Sequence, residues 1–131
     1  MSQDRPQPDY QPVVRNIAEV DWDQLPGHFD GALSKLLVHP ATVGARQIDH
    51  RISTYAPKGY VAPHSHKIQE QVYHILDGEG LVEIEGKRRV VRRHDVIFIP
   101  PRIQHALYNT GLEPLTFLVI TAPVHDEPGE M

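Results

Sequence analysis

The chain has 131 residues, 40% of them hydrophobic and 23% charged, with a net charge of −4 and a pI near 6.1. That length supports one domain around one core, and the acidic balance leaves no basic stripe to hold a phosphate backbone, so nucleic acid is not an expected partner. No apolar run is long enough to span a bilayer, and with no cysteine there is neither a disulfide framework nor a thiolate metal site.

The opening stretch, Met1 to Pro12, is polar and proline-rich rather than signal-like, which predicts a cytoplasmic location and an extended arm. Residues 1–28 are read as that arm, with two readings open: a solvated segment, or a strand added to a partner's sheet. Asn16 to Gln24 can make a short helical turn before the Leu25-Pro26-Gly27 break. From Gly31 the pattern is that of strands. Ala32 to His39 stops at Pro40. Gln47 to Tyr55 alternates, with Ile48, His50, Ile52 and Thr54 on one face and Asp49, Arg51, Ser53 and Tyr55 on the other. His50 and Arg51 therefore oppose each other, and which of them faces the interior stays open. Val61 to His66, Gln71 to Leu76, Leu81 to Glu85, Arg88 to Arg92, Val96 to Ile99, Gln104 to Tyr108 and Leu115 to Thr121 follow at short, regular spacing. Asp77-Gly78-Glu79-Gly80 and Glu85-Gly86-Lys87 make the tight reversals. Many short strands and no convincing long helix predict an all-β antiparallel sandwich or barrel spanning residues 29–124. Leu107, Phe98, Phe117 and Val119 are assigned to its lining, and residues 125–131 to a solvated acidic tail.

Nine histidines direct attention to metals and acid-base chemistry. In a strand, residues i and i+2 point to one side, so His64 and His66 present two imidazoles to one point. His105 follows a Pro100-Pro101 stop on a later strand. Three neutral imidazoles from two regions of one barrel can close around a divalent ion and leave positions for water or substrate. A surface His-x-His pair is the bland alternative. His28, His39, His74, His94 and His125 are read as surface or structural.

The segments Gly59-x4-His64-Ser-His66-x4-Gln71-x6-Gly78 and His94-x5-Pro100-Pro101-Arg102-x2-His105-x3-Asn109 resemble the two motifs of the cupin superfamily, over roughly Asp30 to Pro123. The resemblance implies a cupin double-stranded β-helix, a jelly-roll barrel of the small single-domain type, holding one divalent metal ion (Zn, Fe, Mn or Ni) and associating as a homodimer. His94 and Arg102 stand where the second motif has glycine. Arg102 asks for a different turn there, and is either a solvated loop residue or a clamp for an anion.

The family's metal carboxylate is also replaced. Counting back from Gly78 puts Gln71 at its place, whereas counting forward from His66 allows Glu70. Strand parity favours Gln71, which shares a face with Tyr73 and Ile75. The expected ligands are thus His64, His66, Gln71 and His105. This neutral donor set leaves the ion's double charge uncompensated, which favours a substrate that brings an anionic oxygen. Tyr73, two residues on, is either a core aromatic or the catalytic proton carrier. The expected function is a metal-dependent enzyme on a small oxygenated, anionic organic molecule, by lyase, isomerase, decarboxylase or dioxygenase chemistry. The alternative is a non-catalytic small-molecule-binding barrel.

Overall fold

A computed structural model describes residues 9–127; the remainder of the predicted arm and tail lies outside the described residues. Ten strands follow in order: β1 (His28–Phe29), β2 (Ala32–Val38), β3 (Asp49–Tyr55), β4 (Tyr60–His64), β5 (Glu70–Asp77), β6 (Glu79–Ile84), β7 (Lys87–Arg92), β8 (Val96–Ile99), β9 (His105–Tyr108) and β10 (Leu115–Ala122). They form two five-stranded antiparallel sheets, β1-β4-β9-β6-β7 and β2-β3-β10-β5-β8. The chain is a jelly roll, its sheets facing each other across one core. Among the described residues no helix is long and apolar enough to cross a membrane.

Strand alternation sends one set of residues inward on each strand. Tyr73 and Ile75 of β5, Ile97 and Ile99 of β8, and Leu115, Phe117 and Val119 of β10 are all buried, together with Tyr55, Val61, Val82 and Leu107. Tyr55 and Tyr73 both pack against Phe117, the first edge-on with ring centroids 4.9 Å apart. Phe98, assigned to the lining from the sequence, is instead 55% exposed. It pairs with Val72 on the outer face, while its neighbours Ile97 and Ile99 pair with Tyr73 and Gln71 on the inner one.

Two of the positions shared with the cupin motifs show their purpose here. Gly78 has φ +88°, and a Cβ there would collide with the Pro114 carbonyl oxygen; only glycine fits both demands. Asn109 is buried and joins three segments: its amide donates to the carbonyls of Tyr55 and Glu113, and its Oδ1 accepts from Gly111 N–H. At the two glycine departures His94 and Arg102 adopt the left-handed backbone themselves, with φ 77° and 66°, a conformation that ordinarily favours glycine.

The described part of the arm, residues 9–28, packs against β2 of its own chain. A one-turn 3-10 helix, Ile17–Glu19, is closed by an Asn16/Glu19 capping box. Asp23 then bridges to Ser34 of β2. Arg15 donates to the Leu37 carbonyl at 2.6 Å and Lys35 to the Ile17 carbonyl at 3.0 Å, with the Lys35 ammonium over the Trp22 ring. The free edge of β2 is thereby covered. After β2, Pro40 opens a short helix, α1 (Pro40–Val43), capped by the His39 side chain.

Candidate metal centre

His64 ends β4 and lies directly across from His105, which opens β9. Their ring centroids are 4.3 Å apart. His66 is past the end of β4, in the connection to β5, and its ring still comes within 5.0 Å of that of His64. The ligating nitrogens of the three lie within 4.8 Å of one another, and they could hold a metal ion. Gln71 enters from the opposite sheet, near the start of β5. The site is therefore assembled from both sheets and from the loop joining them.

Hydrogen bonds orient each side chain. His64 Nδ1 contacts the Ala62 carbonyl at 2.8 Å and His105 Nδ1 the Ile103 carbonyl at 2.9 Å. A carbonyl can only accept, so both rings carry the proton on Nδ1 and turn the Nε2 lone pair to the centre. The Gln71 amide nitrogen donates to Thr121 Oγ1 at 3.1 Å, which points Oε1 the same way. For His105 the result is acceptor facing acceptor, with Oε1 of Gln71 3.1 Å from its Nε2, and the same Oε1 lies 3.1 Å from Nε2 of His66. Burial, reinforced by the neighbouring imidazoles, holds His105 down to about 4 and His66 below the usual imidazole range, so at neutral pH both rings are neutral and each has one nitrogen lone pair to offer. Converging lone pairs of this kind suit a cation, and the nitrogen and oxygen donors suit a divalent one.

Glu70 is exposed at the outer face, as the parity of β5 requires. Tyr73 is buried and its hydroxyl contacts Gln71 Oε1 at 3.4 Å. Burial raises its pKa, so the phenol is a hydrogen-bond donor and not a base. Arg102 anchors the loop through its backbone N–H, which donates to the His66 carbonyl at 2.7 Å.

The centre opens into a cavity of about 610 Å³. Arg51, and not His50, faces it, together with Asp49, Ser53 and Tyr55 from the same face of β3. Asp49 takes Arg51 Nε at 3.0 Å and also Nη2, a bidentate pair. His28 and His39, assigned from the sequence to surface or structural roles, line the cavity as well. Their signal was weak: each is a lone histidine beside a chain reversal, and only the folded chain brings it to β3 and β4.

The family model for the cupin domain matches residues 51–121, and the chain belongs to that family. An uncharacterized protein of Methanocaldococcus jannaschii is 29% identical over 115 residues, covering 85% of this chain and 90% of its own. Among solved structures, a predicted oxalate decarboxylase of Thermotoga maritima superposes with a TM-score of 0.76 at 23% identity, covering 85% of this chain and 99% of that one. The polyketide cyclase RemF of Streptomyces resistomycificus superposes with a TM-score of 0.77 at 22% identity, covering 90% and 83%. At these identities the two structures speak for the fold.

Proposed function

We propose that the protein is a metal-dependent cupin enzyme that acts on a small anionic organic molecule, with His64, His66, His105 and Gln71 as the ligands of one divalent ion. The observation that carries this reading is the set of donor atoms suited to a metal, Oε1 of Gln71 and the Nε2 atoms of His66 and His105, converging at one end of a cavity with Arg51 on its wall. A bound divalent ion supplies Lewis acidity toward a substrate oxygen. The chain's own residues do the rest. Arg51 stands two strands from Tyr73, both being partners of Val119, a separation of about 9–10 Å between backbones. Asp49 grips one side of the guanidinium and leaves its remaining N–H groups for a carboxylate or enolate oxygen of the substrate. Tyr73, held neutral, orients the substrate or delivers a proton from its hydroxyl. Tyr55, Phe117 and Val61 wall the cavity and limit it to small molecules.

Small dicarboxylates and oxo acids fit this spacing and charge, in line with the oxalate chemistry named for the Thermotoga structure. The test is calorimetric titration of the metal-loaded protein with oxalate and related short dicarboxylates against their neutral diamides, with chemical analysis of the ligand afterwards. Binding of the anions alone, weakened roughly tenfold or more in Arg51→Gln, and conversion of the ligand support the reading. Tight binding with the ligand returned unchanged would favour the non-catalytic alternative. Equal binding of diamides would contradict the anion preference.

The same reading includes a homodimer working in the cytoplasm. Besides the two-residue β1, the edges not covered by the arm are those of β7 and β8, where Val90, Val96 and Phe98 are exposed at 42%, 62% and 55%. A second copy is the partner we propose for them, and light scattering showing a dimer that Phe98→Glu converts to monomer is the expected result.

A further inference from the structure

Asp126 belongs by sequence to the acidic tail, yet its carboxylate is held inside the loop between His66 and Gln71. Its Oδ1 accepts the backbone N–H groups of Lys67 at 2.8 Å, Ile68 at 2.9 Å and Gln69 at 3.2 Å, and its Oδ2 also accepts that of Lys67 at 2.9 Å. The Gln69 side chain reinforces the contact by donating to the carbonyls of Pro123 and Val124; Lys67 and Glu127 also pair, but at the exposed surface, where such a pair contributes little. The same Oδ2 lies 3.8 Å from Nδ1 of His66, while Nε2 of that ring faces Gln71 Oε1.

Of the three histidines, His64 and His105 have their Nδ1 protons fixed by carbonyls of their own strands or turns. Among the described residues His66, beyond the strand end, has no such carbonyl; the oxygen facing its Nδ1 is the Asp126 carboxylate, 3.8 Å away. At 3.8 Å the carboxylate is beyond hydrogen-bond reach, but its charge favours the tautomer with the proton on Nδ1, which leaves Nε2 as a ligand. It also places one negative charge just outside a donor set that has none.

We propose that Asp126 is a positioning residue of the metal centre: it ties down the loop that carries His66 and sets the His66 tautomer, so that the C-terminal segment is part of the site. This rests on the metal-ligand reading given above. Three variants of the full chain test it. Asp126→Ala removes both roles. Asp126→Asn keeps an acceptor for the loop N–H groups but lacks the charge, and can turn an N–H toward His66. Glu127→Gln is the control, because Glu127 pairs only with the Lys67 ammonium among the described residues.

Zinc affinity is read by competition with a chelator on stripped and reloaded protein, with circular dichroism to confirm that each variant is folded. Long-range 15N spectra of the metal-free protein report the His66 tautomer. The expected result is a loss of about 10- to 100-fold in zinc affinity for both Asp126 variants and none for Glu127→Gln. The His66 ring should shift from the Nδ1–H form in the parent to a mixture in both Asp126 variants. Wild-type affinity and an unchanged tautomer in Asp126→Asn would overturn the proposal, whatever Asp126→Ala does. If the parent protein binds none of zinc, iron, manganese or nickel, the metal-ligand reading fails, and the His66 spectrum of the metal-free protein still decides the role of Asp126.

Discussion

At the scale of single residues, the account turns on Gln71 and its neighbour. Gln71 shares its face of β5 with buried Tyr73 and Ile75, and its amide oxygen contacts two imidazoles; Glu70 is one residue away and exposed. A one-residue shift in a strand reverses the face, so the two cannot exchange roles without a bulge. Gln71→Ala should therefore weaken metal binding by about tenfold or more, whereas Glu70→Gln should leave it within about twofold. Gln71→Glu should hold the metal as well as the parent or better, since it adds a charged oxygen at the same reach. Chelator competition on the three variants measures all of this, and the reverse order would mean that the register at the start of β5 is wrong. That Gln71 and not Glu70 lies on the inner face of β5 was legible in the sequence, because parity needs only local alternation and the Gly78 turn as a reference. The side of β3 that faces the cavity was not. Arg51 and His50 alternate as regularly as Gln71 and Glu70, but nothing near them in sequence says which face meets the opposite sheet. That follows only from the pairing of Arg51 with Val119, far along the chain.

At the scale of elements, the turns carry the contrast. Gly78 and Arg102 both occupy the left-handed region, but for different reasons. Gly78 is required twice, by its φ and by the Pro114 carbonyl beneath it. Arg102 only tolerates its conformation, and its contribution to the loop is a backbone N–H that any residue supplies. Two substitutions should therefore act in opposite directions. Gly78→Ala should cost about 2–4 kcal/mol, combining a left-handed alanine with overpacking. Arg102→Gly should be neutral or stabilising by up to about 1 kcal/mol, the relief of backbone strain being partly offset by the greater freedom of glycine in the unfolded chain. Urea denaturation of the two variants beside the parent decides it; equal destabilisation by both would refute the distinction. Most of the strands and the reversals between them were readable from alternation and Gly/Pro punctuation. The face of Phe98 was misjudged because hydrophobicity was put before parity: β8 is an edge strand whose Ile97 and Ile99 already fill the inner side. The one-turn helix after β2 escaped notice because Pro40 reads equally well as a strand stop and as a helix start.

At the scale of the whole molecule, the fold places its donors by joining distant parts. His64 and His105 come from one sheet, Gln71 from the other, and His66 from the loop between β4 and β5. The loop is clasped by Asp126, roughly sixty positions along the chain. The sequence motifs reveal the first four residues, since their spacing is local to two segments; the clasp has no local signature and appears only when the C-terminal segment is seen against the loop. The proposed function makes this point of convergence the seat of a divalent cation. The most direct test is elemental analysis of the protein purified without added metal or chelator, alongside the double variant His64→Ala/His105→Ala. The account predicts close to one divalent ion per chain in the parent, and almost none in the variant, with both proteins folded. Stoichiometric metal retained in the double variant, or none taken up by the parent even after incubation with zinc, iron, manganese or nickel, would contradict it.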